Sequence, residues 1–256
     1  MGWTLQFEVL TDIGKKRTVN EDSAAVYTLP RGVMLAVIAD GMGGHLGGDY
    51  ASSTAVRVIG EKFMELDSSK FEAEDNWAQW LQEAVIHAND ILYKHANENE
   101  AYKGMGTTLE VALIRGRSCL ISHTGDSRVY AIDGQGVRQV TRDHSFVNAL
   151  LDSGEITVEE AAVHPQRNWI MKAIGSEKTI VPELYSLELE EDMYMLICTD
   201  GLSNKVNQQS MGEIVLSNAT LREKTIELVD VANNMGGEDN ISVILIDSTE
   251  VEATNP

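Results

Sequence analysis

Residues 33–45 read VMLAVIADGMGGH, seven apolar or small residues followed at once by Asp40 and a glycine-rich turn. A short run rich in Val, Ile and Leu is typical of a strand that is buried on both faces. The glycines leave the backbone open to close approach by a ligand. The stretch predicts a core strand that delivers one carboxylate to one place, although a solvated Asp at the start of an ordinary turn fits these residues equally well.

The same arrangement recurs at three other places in the chain. Asp200 follows the run MYMLICT, Asp126 follows LISHTG, and Asp239 comes just before NISVILI. Carboxylates at the ends of core strands can converge at one end of a sheet core, where they repel one another unless protons or cations neutralise them. Hard oxygen ligands without a Cys or His pattern suit Mg²⁺ or Mn²⁺. The spacing therefore predicts a metal centre built from several carboxylates.

Composition narrows the class of protein. The chain has 256 residues, 43% of them apolar, and a net charge of −20. This length suits one large domain or two small ones with a sizeable core. The negative charge argues against nonspecific binding to nucleic acid or anionic lipid. Cys119 and Cys198 lie in apolar runs and are interpreted as buried thiols, so neither a zinc framework nor a disulfide is expected.

The N-terminal sequence carries no recognisable targeting signal. It has no basic segment followed by an apolar one, as a signal peptide would. Gly2 raises the question of myristoylation, but Gln6 stands where that motif needs Ser or Thr. No apolar run approaches the roughly 18 residues of a membrane-spanning helix. We therefore expect a soluble cytoplasmic protein without membrane insertion.

Strand and helix patterns are grouped along the chain and do not strictly alternate. The predicted strands cover residues 5–13, 24–29, 33–39, 184–189, 193–199 and 241–246. The predicted helices cover residues 49–66, 77–97, 143–154, 157–162, 208–216 and 221–234. Residues 107–141 alternate strand and turn, which predicts an antiparallel meander. The grouping favours an α+β fold with antiparallel sheets.

Seven short motifs occur in order at compatible spacing, namely RTVNED, DGMGGH, GMGTTL, GDSR, TRDHS, TDGL and GGEDNIS. Each alone is a weak signal. Together, over residues 5–247, they closely resemble the bacterial branch of the metal-dependent Ser/Thr protein phosphatases, the protein phosphatase 2C-like (PPM) family. The resemblance implies a four-layer sandwich, two packed antiparallel β-sheets flanked by α-helices on both faces. It also implies one catalytic domain over residues 1–248, with a mobile flap at about 145–178, and a short polar tail at 249–256.

The resemblance also implies a metal-binding role for individual residues. Asp40 matches the carboxylate that bridges two metal ions, and Gly41 matches the residue that offers its backbone oxygen to one of them. Asp200 and Asp239 match ligands of the other ion. Asp126 matches the acidic residue that helps to hold a third, looser ion in bacterial members, with Asp200 shared.

The remaining matched residues lie in RTVNED. Glu21 and Asp22 match residues near the metals, as direct ligands or through bound water, and Arg17 matches the arginine that grips the substrate phosphate. The implied cofactor is Mn²⁺ or Mg²⁺, of which two ions at about 3.5–4 Å can turn a shared water into a nucleophile. The implied reaction is hydrolysis of phosphoserine and phosphothreonine by direct attack of a metal-bridging water or hydroxide, without a phosphoenzyme.

The proton donor is left open by the sequence. Met42 stands where many eukaryotic relatives carry a His that is proposed as the acid. His45 is a candidate for an acid role, and a capping or packing role fits it at least as well. His144 is interpreted as a structural residue and His123 as a core residue, while the role of His164 in the flap stays open.

Two other functions fit the sequence less well. A metal-dependent nuclease could use the same carboxylates, but the net charge of −20 and the lack of a basic groove argue against it. A pseudophosphatase that binds phosphoproteins without cleaving them would need a lost ligand, whereas all the matched residues are present. The resemblance further implies phosphorylated proteins as partners and a cognate membrane-anchored Ser/Thr kinase that the enzyme opposes. We expect a monomer.

Overall fold

The computed structural model describes residues 5–30, 32–43, 47–67 and 74–248. In these ranges the strands form two sheets in which all pairs are antiparallel. The first sheet has the order β1 (Gln6–Asp12), β11 (Ile241–Asp247), β10 (Tyr194–Cys198), β7 (Arg128–Asp133) and β8 (Gly136–Gln139). The second has the order β2 (Asp22–Leu29), β3 (Val33–Met42), β5 (Leu109–Arg115), β6 (Ser118–Thr124) and β9 (Glu183–Glu188), with β4 (Gly106–Thr107) paired to β3.

Helices cover the outer faces of both sheets. In chain order they are α1 (Gly48–Met64), α2 (Glu74–Glu98), α3 (Phe146–Asp152), α4 (Val158–Ala162), α5 (Asp200–Ser203), α6 (Gln208–Val215) and α7 (Leu221–Asn234). Helices α1 and α2 pack on the second sheet, and α5, α6 and α7 pack on the first. The predicted four-layer α+β sandwich is confirmed. No described helix is long and apolar enough to cross a membrane.

Strand β3 is buried on both faces, as its uninterrupted apolar run predicts. Leu35 and Val37 face the core formed with α1 and α2. Ala36 and Ile38 face the core between the two sheets. Because side chains alternate along a strand, one short segment joins two of the hydrophobic layers.

The predicted meander over residues 107–141 is wrong at its centre. Strands β5 and β6 pair in the second sheet, whereas β7 and β8 pair in the first. The chain crosses between the sheets at Gly125, which has a φ of 111° and whose added Cβ would lie 2.6 Å from Thr108 Cγ2. A hairpin and a crossover show the same local strand–turn–strand pattern, so periodicity alone could not separate them. The crossover leaves Asp126 between the two sheets.

Smaller differences concern the ends of elements. Strand β3 continues beyond Asp40 to Met42, and α5 was not predicted because four residues are too few to show a helical period. Cys119 lies in the core between the sheets and Cys198 in the core beneath α5–α7. Both are free and buried, as predicted.

We predict that Ile38→Ala lowers the free energy of unfolding by about 2–5 kcal/mol, because it leaves a cavity between the sheets that the surrounding side chains fill only in part. Chemical denaturation followed by circular dichroism measures the change. Ile226→Ala is the matched control, since Ile226 is 41% exposed on α7 and its truncation should cost less than about 1 kcal/mol. Equal losses in the two variants would contradict the assignment of Ile38 to the inter-sheet core.

Candidate active site

Elements from both sheets meet at one end of the sandwich and line a cleft of about 550 Å³. Seven of the eight residues predicted from the sequence lie on its wall, namely Arg17, Glu21, Asp40, Gly41, Asp126, Asp200 and Asp239. The eighth, Asp22, is buried and does not line the cleft. The carboxylates at the strand ends therefore share one site.

Asp40 is held through its backbone by two threonines of the GMGTTL motif. Its amide donates to Thr108 Oγ1 at 2.9 Å, and its carbonyl accepts from the Thr107 hydroxyl at 2.9 Å and from the Thr108 amide at 2.8 Å. Thr108 Oγ1 also lies 2.7 Å from Ser127 Oγ. These buried bonds tie Asp40 to the crossover that carries Asp126.

Thr199 holds the backbone next to Asp200 by similar hydrogen bonds. Its hydroxyl donates to Asp22 Oδ2 at 2.9 Å and accepts from the Ser242 amide at 2.9 Å. Asp22 itself lies directly opposite Asp40 in the register of β2 and β3. The hydroxyl therefore links the second sheet to the point where Asp200 begins α5.

Asn240 organises the loop that carries Arg17. Its Oδ1 accepts from the Glu21 amide at 2.8 Å, and its Nδ2 donates to the carbonyls of Ile13 and Val19 at 2.9 and 3.0 Å. Sequence reasoning missed this role, as it missed the roles of the two threonines in GMGTTL. The available signal was a polar side chain inside a motif, immediately before an apolar strand. A polar group that is buried there needs a hydrogen-bond partner.

Close packing brings Asp200 to the loop before β11. A Cβ on Gly201 would lie 1.9 Å from the carbonyl oxygen of Asn240. Only a residue without a side chain lets α5 start this close to that loop. Asp200 and Asp239 thereby reach the same cleft.

Arg17 projects into the cleft from the loop between β1 and β2. Its Nη2 lies 2.9 Å from both carboxylate oxygens of Asp239, and its Nη1 lies 3.6 Å from Glu21 Oε2. The side chain is 44% exposed. A single exposed guanidinium thus faces a wall of carboxylates.

The carboxylates are shifted towards their protonated forms. Burial, followed by repulsion from Asp22 and other neighbours, raises the pKa of Asp40 well above its ordinary value. Burial, followed by repulsion from Asp200 and Asp143, raises the pKa of Asp126 to about 8. Burial, with a smaller contribution from repulsion by Asp200 and Asp239, raises the pKa of Asp22 to about 7. The pKa of Asp200 rises to about 6, because two arginines offset part of the effect of burial and of Asp239. Protons or cations must therefore neutralise this cluster.

The donor chemistry fits a divalent cation. One oxygen each of Asp22, Asp126 and Asp200 is buried without a hydrogen-bond partner, and carboxylate oxygens are the ligands that Mg²⁺ and Mn²⁺ prefer. Within the described ranges, no three His, Cys, Asp or Glu side chains are already arranged around one point that could hold an ion. Support for a cation therefore comes from donor type and charge, and not from a preformed ligand cage.

The flap supplies a part of the wall that the sequence did not predict. Asn168, Trp169, Ile170 and Met171 line the cleft together with the acidic residues. Trp169 is 58% exposed and Met171 is 53% exposed. Their place depends on tertiary contacts of the flap, and the local signal was a run of three large apolar side chains, residues 169–171, in a polar segment. His45, the candidate acid, lies outside the described residues.

A family model described as Protein phosphatase 2C matches residues 14–238. The chain belongs to the protein phosphatase 2C family. Protein phosphatase PhpP of Streptococcus pneumoniae is 39% identical over 249 residues, which cover 97% of this chain and 100% of that protein. The serine/threonine phosphatase stp of Listeria innocua is 36% identical over 240 residues, 94% of each chain.

A solved structure agrees with these relatives. The S. agalactiae serine/threonine phosphatase has a TM-score of 0.90 and 36% identity, and the match covers 95% of this protein phosphatase 2C chain and 99% of the other. The predicted membership of the bacterial branch is confirmed. The predicted enzyme class, a protein-serine/threonine phosphatase, is confirmed with it.

We predict that, in buffers with EDTA, the melting temperature falls as the pH rises from about 6 to about 8. The folded-state pKa values of Asp22, Asp126 and Asp200 lie above the ordinary value of 3.8. The folded state therefore binds more protons than the unfolded state over this window, and stability is lost as the pH passes through the raised values. Differential scanning calorimetry measures the trend.

Asp200→Asn serves as the comparison for this titration, because an amide cannot ionise. Its melting temperature should depend less on pH than that of the unmodified protein. Mn²⁺ should raise the melting temperature of the unmodified protein more at the upper end of the window than at the lower end, because cations compete with protons for the carboxylates. A melting temperature that rises with pH in EDTA would refute the predicted shifts.

Proposed function

We propose that this phosphatase hydrolyses phosphoserine and phosphothreonine on proteins directly at the cleft, without a phosphoenzyme. The observation that supports the proposal is the convergence of the four strand-end carboxylates and Arg17 on one wall. Cys119 and Cys198 are both buried away from the cleft, and burial raises the pKa of both thiols. Neither thiol is therefore suited to act as a nucleophile.

The proposed cofactor is Mn²⁺ or Mg²⁺. Asp40, Gly41, Asp200 and Asp239 would hold two ions, and Asp126 together with Asp200 would hold a third. When bound, such ions supply an activated water and neutralise charge on the phosphate. The carboxylates would hold the ions at one edge of the core, where one buried oxygen each of Asp22, Asp126 and Asp200 has no other partner within the described ranges.

Glu21 and Asp22 would support the cluster, as direct ligands or through water. Asp22 is fixed by the hydroxyl of Thr199 at 2.9 Å, which limits its freedom to move. The amide of Glu21 is fixed by Asn240 at 2.8 Å, while its carboxylate faces the cleft. Asp22 is the better placed of the two for a fixed supporting role.

Arg17 would bind the phosphate of the substrate. A planar guanidinium can donate two parallel, charge-assisted hydrogen bonds to phosphate oxygens. In the structure, Arg17 pairs with Asp239 and Glu21. When substrate and cations are bound, Arg17 would contact the phosphate and Asp239 would contact a cation. Arg17 would then orient the phosphate for in-line displacement.

The proposed substrates are phosphorylated proteins. The proposed opposing enzyme is a membrane-anchored Ser/Thr kinase, and this phosphatase would remove the phosphate groups that the kinase adds to its targets. Trp169 and Met171 offer exposed apolar surface beside the acidic wall. Such a surface can pack against residues that flank a phosphoserine, which a small aryl phosphate lacks. The net charge of −20 speaks against nucleic acid as a substrate.

We predict that p-nitrophenyl phosphate is hydrolysed only when Mn²⁺ or Mg²⁺ is added, and that Asp200→Asn lowers turnover more than about 100-fold. The loss should exceed the effect of removing a partner outside the ligand set, which already costs about 10- to 100-fold in metal enzymes. Asp230→Asn, on the exposed face of α7, is the matched control and should keep normal turnover. A folded protein that shows no turnover with either metal would favour a phosphoprotein-binding pseudoenzyme.

We also predict that Trp169→Ala raises the KM for a phosphopeptide about tenfold, since it removes a large apolar contact, and leaves p-nitrophenyl phosphate kinetics nearly unchanged. Steady-state kinetics on the two substrates measure the difference. Val181→Ala is a suitable control, because Val181 is 80% exposed and does not line the cleft. Equal losses on both substrates would refute a role for Trp169 in binding protein substrates.

A further inference from the structure

His144 joins the flap to the turn that carries Asp126. Its backbone amide donates to the carbonyl of Gly125 at 2.7 Å, and its Nδ1 accepts from the amide of Gly125 at 3.1 Å. Its carbonyl accepts from the amide of Met171 at 2.7 Å. One residue is therefore bonded on one side to the neighbour of Asp126 and on the other to the wall of the cleft.

Three consecutive residues, His144 to Phe146, form main-chain contacts with the flap segment 169–171. Ser145 and Ile170 form an isolated antiparallel bridge. The amide of Phe146 donates to the carbonyl of Trp169 at 2.8 Å. The segment that begins with His144 thus holds the cleft-facing part of the flap by main-chain bonds.

The ring of His144 rests on a fixed platform. It lies 4.5 Å from the ring of His123, centroid to centroid. His123 is fully buried, contacts Glu110 through Nδ1 and donates from Nε2 to the carbonyl of Arg142 at 2.8 Å. With both nitrogens engaged, the ring of His123 is fixed, and the ring of His144 packs against it at an interplanar angle of 35°. His123 is a core residue, as predicted.

The partners of the His144 ring define its tautomer. Because Nδ1 accepts from Gly125, the proton is on Nε2, which lies 3.0 Å from Glu183 Oε1. Burial, followed by the charge of His123, lowers the pKa of His144, which favours the neutral ring that this arrangement needs. The ring is thus the acceptor for the Gly125 amide, whereas its Nε2 is near Glu183 without a hydrogen-bond partner among the described residues.

Gly125 needs this acceptor for its amide. Its φ of 111° turns the backbone into a region that favours glycine, and the residue is buried. A buried backbone amide without a partner is costly. Without the ring acceptor, the turn would have to move to expose the amide to water, and Asp126 would move with it.

We propose that His144 is a positioning residue that fixes the turn carrying Asp126 and the flap segment 168–171 in one relation to each other. The critical contact is the hydrogen bond from the Gly125 amide to Nδ1. The inference rests on the proposed function where it concerns the cation near Asp126. Through this bond, the position of the flap segment is coupled to the position of Asp126, the proposed ligand of the third cation.

The test uses variants that keep or remove the acceptor. His144→Asn can place Oδ1 near the position of Nδ1, whereas His144→Phe keeps a flat ring without an acceptor. His144→Gln also lacks an acceptor at that position and replaces the Phe variant if that variant does not fold. Thr157→Ala is the flap control, because it removes the capping box of α4 without touching Gly125.

Two readouts are measured, and the first needs neither metal nor substrate. Hydrogen exchange reports the amide of Gly125, which should exchange at least about fivefold faster in His144→Phe, the effect expected from loss of one neutral hydrogen bond. The second readout is the Mn²⁺ concentration for half-maximal p-nitrophenyl phosphate turnover, which should rise by about the same factor. His144→Asn should restore both values, and Thr157→Ala should change neither.

The proposal is overturned if His144→Phe or His144→Gln leaves both readouts at the wild-type values, or if His144→Asn is as impaired as they are. An equal effect of Thr157→Ala would also overturn it, because general loosening of the flap would then be the cause. If the unmodified protein shows no Mn²⁺-dependent turnover, the proposed function fails. The exchange of the Gly125 amide still decides the positioning role in that case.

Discussion

The main constraint on this structure is the repulsion between several carboxylates that lie close together at a largely buried edge of the core. Asp22 and Asp40 stand directly opposite each other on neighbouring strands, an arrangement that ordinarily destabilises a sheet. Burial and mutual repulsion raise the pKa values of four of these carboxyl groups. The rest of the fold must hold them in place against that repulsion.

Short polar side chains do this by bonding to the backbone next to each acid. Thr108 and Ser127 connect the Asp40 strand to the crossover, and Thr199 connects Asp22 to the start of α5. Asn240 fixes the loop that carries Arg17. Each bond satisfies a buried polar group and at the same time fixes the direction of a neighbouring carboxylate. Stability and site geometry therefore depend on the same contacts.

Hydrophobic periodicity and strand-end acids are local signals, and they predicted most of the strands and the convergence of four carboxylates. The four layers and the roles of the three matched residues in RTVNED were expected only from the resemblance to the family. Sequence reasoning failed at Gly125, where a crossover between sheets has the same local pattern as a hairpin. It also did not assign Asn240, whose partners Ile13 and Val19 are more than 200 residues away in sequence. Trp169 reaches the cleft through bonds of the flap that no local pattern encodes.

The division of the acids between the two sheets has a consequence for folding cooperativity. Asp22 and Asp40 belong to the second sheet, whereas Asp200 and Asp239 adjoin strands of the first. Neither sheet alone carries all of the proposed ligands, so a partly folded chain with only one sheet formed would lack the proposed cation site. Catalytic competence would then belong to the completed sandwich, and cation binding would stabilise only the state in which both halves have docked.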